Sequence, residues 1–180
     1  MTEDRAFEIC DVVPGHMHEH QMRWLYKMAQ VSGSAPCILE IGSADGRSAC
    51  MMAHAIKGRA GTIHTIDNRL GKYKACAANA ERFGIEDTLF PNLGVSPWDI
   101  PRPGKTRFDM AFIDADHNYP SVACDIGVCV SLLRRGGFLC GHDYANTNFD
   151  VKAAVDQLVF NKDYVADFGV ECGCWWARLK

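Results

Sequence analysis

The sequence predicts an α/β domain built on a doubly wound, mostly parallel sheet of seven strands, and three observations carry that expectation. Short apolar runs of strand type alternate with segments of helical periodicity through most of the chain. The stretch "ILEIGSADGRSA" (38–49) joins a buried strand to a helix through a glycine turn. The last two apolar runs have no helix between them, so they must pair antiparallel at one edge.

The first segment with helical spacing is 17–30, with Met22, Leu25 and Met28 near one face, and the breaker "SGSAP" ends it. A strand over 37–41 leads through Gly42–Gly46 to a helix over 46–57, and "TIHTID" (62–67) is the second strand. The helix "KYKACAANAERF" (72–83) is stopped by Gly84. "TLFPNLG" is a weak third strand because Pro91 interrupts it. "FDMAFIDA" (108–115) is a strong strand. It is followed by the helix "PSVACDIGVCVSLLRR", with Pro120 in its first turn, two arginines in its last, and Gly136–Gly137 just past its end. "GFLCGHD" (137–143) is the fifth strand, and "DVKAAVDQLVF" is a helix with Val151, Ala154, Val155 and Leu158 on one side. Segments 164–170 and 174–179 close the chain as two strands around a short turn. This reads as a single domain over 1–180, with an N-terminal helical cap over 1–35 and the core over 36–180.

Hydrophobic residues make up 48% of the 180 and charged residues 23%, the balance of a folded chain rather than a disordered one. A net charge of −3 offers no basic footprint for nucleic acid, so a small-molecule partner is expected. The acidic start "MTEDRAFEIC" does not read as a signal peptide, and no run approaches the length of a membrane span, which together point to the cytoplasm. The nine cysteines are scattered through apolar segments without any C-x-x-C spacing. Cys172 and Cys174, the one close pair, read as two thiols beside a hairpin turn. An exposed edge strand and C-terminal aromatics leave a homodimer open.

In a sheet of this type, ligands bind at the C-terminal ends of the strands, near the switch in strand order. Four segments end there with polar residues: Gly42–Gly46, Asp67, Asp114–His117 and His142–Asp143. The glycine turn offers free N–H groups and the positive end of a helix dipole. Ser43 and Ala44 follow Gly42, so the middle glycine of the dinucleotide pattern G-x-G-x-x-G is missing. Glu40, inside the first strand, would serve the loop or a cationic ligand, and Asp67 could accept hydrogen bonds from ribose hydroxyls. Asp116 and His117 have a second reading as caps of the helix near Pro120. His16, His18 and His20 alternate, but no second cluster completes a metal set around them.

"LEIGSADGRSA", "TIHTID", "FDMAFIDADHNY" and "LLRRGGFLCGHDY", in that order, resemble successive motifs of class I S-adenosylmethionine-dependent methyltransferases. The nearest resemblance is to the subgroup with D-x-D-H-x-Y and G-G-x-x-x-x-H-D-Y motifs, which includes metal-dependent sugar and natural-product O-methyltransferases. The resemblance implies a Rossmann-like fold and an enzyme that moves a methyl group from S-adenosylmethionine to a hydroxyl of a small molecule. It implies that Glu40, Gly42, Ser43, Gly46, Asp67, Ser96 and Asp114 surround the cofactor, with Ser96 near the adenine. It also implies a divalent metal, Mg²⁺ or Mn²⁺, on Asp114, His142 and Asp143, with His117 as the base. Asp114, His117 and His142 are thus the expected catalytic residues; for His18 and His20 a plain surface role is the favoured reading, with a contact to the acceptor as the alternative. The competing readings are a nicotinamide- or nucleotide-sugar-binding oxidoreductase and a non-catalytic cofactor-binding protein.

Overall fold

Parallel strands need crossovers long enough to carry a helix, and this chain supplies one after its first, second, fourth and fifth strands. The computed structural model describes residues 3–102 and 107–180, so Met1 and Thr2 of the acidic start lie outside the described residues. The elements are α1 (Glu3–Val12), α2 (Glu19–Val31), β1 (Cys37–Ile41), α3 (Arg47–Ile56), β2 (Thr62–Asp67), α4 (Leu70–Arg82), β3 (Leu89–Leu93) and β4 (Phe108–Ile113). They continue with α5 (Tyr119–Leu132), β5 (Leu133–Gly141), α6 (Val151–Leu158), β6 (Val165–Glu171) and β7 (Cys174–Leu179).

The seven strands lie in the order β3-β2-β1-β4-β5-β7-β6. The first five run parallel, and β7 is antiparallel to both β5 and β6. This is the expected doubly wound sheet with its antiparallel C-terminal hairpin. The strand order reverses between β1 and β4, which is where a crevice opens in such sheets.

Register places the polar strand ends together. Ile41 pairs with Ile66 and with Ile113, and Ile113 pairs with Gly141. The four next residues, Gly42, Asp67, Asp114 and His142, therefore emerge side by side along one edge of the sheet.

Two apolar layers fix that edge in place. α2, α3 and α4 cover one face through Met22, Leu25, Met51, Met52 and Ala80, packed with Ile38 and Ile63 of the sheet. α5 and α6 cover the other through Val122, Ile126, Ala154 and Val155, packed with Leu39, Ile41 and Trp175. Each such large side chain fully buried stabilises the fold by roughly 1.5–3 kcal/mol. Among the described residues no helix is long and apolar enough to cross a membrane.

Two local expectations need correction. The helix expected to run through Arg135 ends at Leu132, and β5 takes Leu133 to Gly141. Leu133 pairs with Phe108 and Phe138 with Met110, so β5 carries extra residues in an irregular stretch, where Gly136 adopts a φ of 73°. Arg134 is drawn into that stretch by an ion pair with Asp109 and a hydrogen bond to the Ser32 carbonyl. The cap also holds a second helix, α1, ahead of the expected one. Pro91 does lie in a strand, but β3 is the sheet's edge and pairs only with β2, where a missing N–H is tolerated.

Candidate active site

The loop after β1 is held in its shape by left-handed residues and by bonds to β2. Gly42, Ala44 and Gly46 have φ values of 97°, 44° and 87°. The Gly42 and Ser43 amides donate to the Ile66 carbonyl at 2.9 and 3.2 Å. Gly42 is irreplaceable on steric grounds as well, since a Cβ there would fall on the Asp114 carbonyl. Gly46 N-caps α3 without a side-chain bond to the first turn, so that turn presents amide N–H groups and the positive end of the helix.

Asp67, at the end of β2, closes the loop from the other side. Its Oδ2 accepts from the Ala44 amide at 2.9 Å, and its Oδ1 from the Arg69 amide at 2.9 Å, while the Arg69 guanidinium donates to both oxygens at 3.0 and 3.1 Å. Burial pushes its carboxyl up, but the Arg69 and Ala44 donors outweigh that and hold it below the usual carboxylate range. The acid is therefore ionised and already oriented.

Glu40 points away from this surface. It is fully buried, and its two oxygens accept from the Ser48 and Thr65 hydroxyls, each at 2.5 Å. Burial raises its pKa to about 7, against the two hydroxyl bonds. Because side chains alternate along a strand, Glu40 faces α3 beneath the loop rather than the cavity above it. Of the expected cofactor residues, Gly42, Asp67, Ser96 and Asp114 line a cavity of about 660 Å³, whereas Glu40, Ser43 and Gly46 sit behind its wall. Ser43 is 2% exposed, and its hydroxyl has no hydrogen-bond partner.

Asp114, Ala115 and Asp116, after β4, line the cavity, and at Asp114 two carboxylates and two imidazoles converge. His117 Nε2 lies 3.1 Å from Asp143 Oδ2 and 3.8 Å from Asp114 Oδ1. His142 Nδ1 lies 3.2 Å from Asp143 Oδ2 and 3.8 Å from Asp114 Oδ1. Backbone bonds set this arrangement, because Asp114 N donates to Ile41 O at 2.9 Å and His142 N to Ile113 O at 3.1 Å. Asp143 adopts a left-handed φ of 58° to turn its carboxylate inward.

The electrostatics is that of acids stabilising imidazolium. Asp114 raises the His117 pKa, against burial and with help from Asp143 and Asp116. Burial lowers that of His142, but Asp143 and Asp114 outweigh it and the net direction is up. Burial raises the Asp143 carboxyl, and the two histidines with Asn146 bring it below the usual range.

Two residues near His117 divide the roles that the sequence left open. Asp116 serves the loop and helix: it accepts from the His117 and Asn118 amides and from the Ser121 hydroxyl. Asn118 caps α5 by accepting from Ser121 N at 3.0 Å. His117 is thereby released from capping. Its ring stacks on Phe149 at 4.1 Å between centroids, 9° from parallel, and its carbonyl accepts from Asp150 N. Neither Phe149 nor Asp125, discussed below, has a local sequence signal as strong as the motifs. Asp125 could have been noticed as a lone acid in the otherwise apolar helix α5.

The donor set suits a divalent cation. One ligand atom each from Asp114, His117 and Asp143 lies within 4.8 Å of the others. His142 Nε2 is buried without a hydrogen-bond partner, and His117 Nε2 faces the Asp143 and Asp114 carboxylates. Ligand atoms about 2.1 Å from a common ion, at right angles to one another, stand roughly 3 Å apart, which is close to the spacing of each imidazole from Asp143. Among the described residues this is the one grouping of its kind, and it brings in His117 where the motifs pointed to His142.

The other expected residues are not members of this cluster. His18 caps α2 and its ring lies 5.7 Å from that of His20. Gln21 donates to the Cys172 carbonyl at 3.0 Å, tying α2 to the β6–β7 turn, and Tyr144 N donates to Gly173 O at 3.0 Å. Cys172 and Cys174 are free thiols of that turn, the first exposed and the second buried.

A family model described as a methyltransferase domain matches residues 39–144. An uncharacterized protein of Acanthamoeba polyphaga mimivirus is 25% identical over 136 residues, which is 67% of this chain, and the match spans 58% of that relative's length. Among solved structures, an O-methyltransferase from Bacillus cereus in complex with S-adenosylhomocysteine superposes with a TM-score of 0.79 at 21% identity, covering 100% of this chain and 92% of that one. An O-methyltransferase of tomaymycin synthesis from Streptomyces achromogenes, in complex with S-adenosylmethionine, gives 0.74 at 21% identity, covering 99% and 87%. An S-adenosylhomocysteine-bound methyltransferase from Podospora anserina gives 0.76 at 17% identity, again covering 99% and 87%. At these identities the three share the fold of this chain.

Proposed function

The chain belongs to the methyltransferase-domain family, and from that premise we propose that it transfers the methyl group of S-adenosylmethionine to a hydroxyl of a small molecule. One observation carries the reading: Asp114 lines the cavity bounded by the glycine loop and Asp67, and also belongs to the cluster with His117 and Asp143. A donor held in the cavity would thus end where a base and two carboxylates begin.

The parts follow from their chemistry. The N-terminus of α3 suits the carboxylate of the methionine moiety, and Asp67 suits the ribose hydroxyls, with Arg69 giving up part of its hold on the acid. The acceptor oxygen attacks the methyl carbon in line, the carbon–sulfur bond breaks, and its electron pair stays on sulfur. His117 takes the hydroxyl proton at Nε2. It is the more accessible imidazole, with its side chain 32% exposed against 10% for His142. Asp114 and Asp143, with His142 as an imidazole ligand, would hold a divalent cation such as Mg²⁺ or Mn²⁺. Bound there, the cation would supply Lewis acidity toward the acceptor hydroxyl.

The test is calorimetric titration of the full chain with S-adenosylmethionine, S-adenosylhomocysteine and NAD, followed by turnover on panels of sugars and phenols with and without added metal. Binding of the two sulfur compounds and not of NAD supports the reading. Tight binding of NAD alone would replace it with the oxidoreductase reading.

A further inference from the structure

The cavity wall holds an acid that no motif accounts for. Asp125 lies on the face of α5 that carries Pro120, Ser121 and Cys124 into the cavity wall. It is 5% exposed and accepts a hydrogen bond from the Ser96 hydroxyl through Oδ1. Among the described residues no other hydrogen bond reaches it. Its other oxygen takes no hydrogen bond from the described residues, and Asp125 lines the cavity, so a ligand held there can donate to it. Burial, offset in part by Ser96, holds this carboxyl above the usual range, the mark of an acid short of donors.

Val95, Pro97 and Trp98, on either side of Ser96, also line the cavity, and Trp98 is 80% exposed. The linear order of an S-adenosyl compound settles what belongs here. If the amino acid lies on the α3 N-terminus and the ribose on Asp67, the base reaches the Ser96–Asp125 end.

We propose that Asp125 recognises the exocyclic amine of the adenine ring through the carboxyl oxygen that Ser96 leaves open, and so determines the base specificity of the site. The proposal rests on the methyl-donor reading above. An ionised carboxylate accepts from an amine and has nothing to donate to a carbonyl, so a 6-oxo base placed the same way would set acceptor against acceptor at the 6-position.

The test is the affinity of the full chain for S-adenosylhomocysteine against S-inosylhomocysteine, in which the amine is replaced by a carbonyl. Unsubstituted protein should favour the adenosyl compound by about 10- to 100-fold, the usual weight of a hydrogen bond to a charged group. In Asp125→Ala the preference should fall to within about threefold, through loss of affinity for the adenosyl compound. In Asp125→Asn, whose amide can donate to the 6-oxo group, it should shrink or reverse. Binding of both compounds by the unsubstituted protein without discrimination would overturn the proposal alone, as would discrimination undiminished in both variants. Should the alanine variant not fold, undiminished discrimination in Asp125→Asn decides against it by itself. If neither compound binds the unsubstituted protein, the methyl-donor reading fails first and takes this one with it.

Discussion

The loops after β1 and β2 differ from the loops after β4 and β5 in how their charges are satisfied. On the first side, Asp67 and Glu40 have both oxygens occupied by N–H or O–H groups of the chain, with the Ser43 hydroxyl left over. On the second side, two carboxylates face two imidazoles, and His142 keeps a buried nitrogen without a hydrogen-bond partner. The acids of the first arrangement are satisfied before any ligand arrives, as expected of a surface that positions one. The second is incomplete, as expected of groups that exchange a proton or share an ion.

The sharpest test of that difference is Asp114→Ala. Its side chain belongs to the incomplete side, so turnover on an identified acceptor should fall by more than about 10⁴-fold, beyond the loss of a general base alone, while S-adenosylhomocysteine affinity stays within about threefold. A matching collapse of affinity would show that the two sides are one unit. Chelation should remove activity, with recovery on adding Mg²⁺ or Mn²⁺; full activity in the chelated enzyme would leave the histidines without an ion to share.

His117→Ala should lower turnover by ~10² to 10⁴, the range of a positioned base, with metal affinity measured alongside. If the variant loses the ion along with the rate, His117 and His142 exchange roles. Asp67→Ala acts on the complete side and should weaken S-adenosylhomocysteine binding by roughly 10- to 100-fold, the weight of charge-assisted hydrogen bonds, with a smaller effect on turnover at saturation.

The smallest effect is on stability. Between about 4.5, the ordinary value, and about 7, Glu40 is protonated in the fold but ionised in the unfolded chain. The unfolded state binds fewer protons there, so stability falls as pH rises through that window, by up to about 3 kcal/mol in all. Glu40→Gln should flatten that slope in denaturant melts at pH 5 and pH 8. An unchanged slope would mean that the carboxylate is accommodated ionised beneath the loop.

Much of this was legible in the residues. Strands β1 and β2 match their expected limits because each is a short apolar run bounded by clear breakers. The acids and histidines of the site could be assembled on paper because polar residues at the ends of parallel strands must share one edge. The switch from α5 to β5 was not legible, since Leu133 leaves the helix to pair with Phe108, a partner 25 residues away in sequence. Asp125 and Phe149 were hidden for a related reason: what they touch depends on how α5 is rotated and on the path of the 143–150 loop. The position of Glu40 could be inferred only in part. Strand alternation put it on one face or the other, and the Ser48 and Thr65 hydroxyls decided which.

The contact between Gly42 and the Asp114 carbonyl has a consequence for how such a protein can be altered. It leaves no room for a side chain between the wall that would hold a donor and the residue that begins the reactive cluster. The spacing between the two is therefore written in main chain, which substitutions elsewhere can scarcely retune. Variation in this region has to come from outside that seam. A library that spares Gly42 should yield folded members, whereas one that includes Gly42 should yield mostly chains in which β1 and β4 no longer end together.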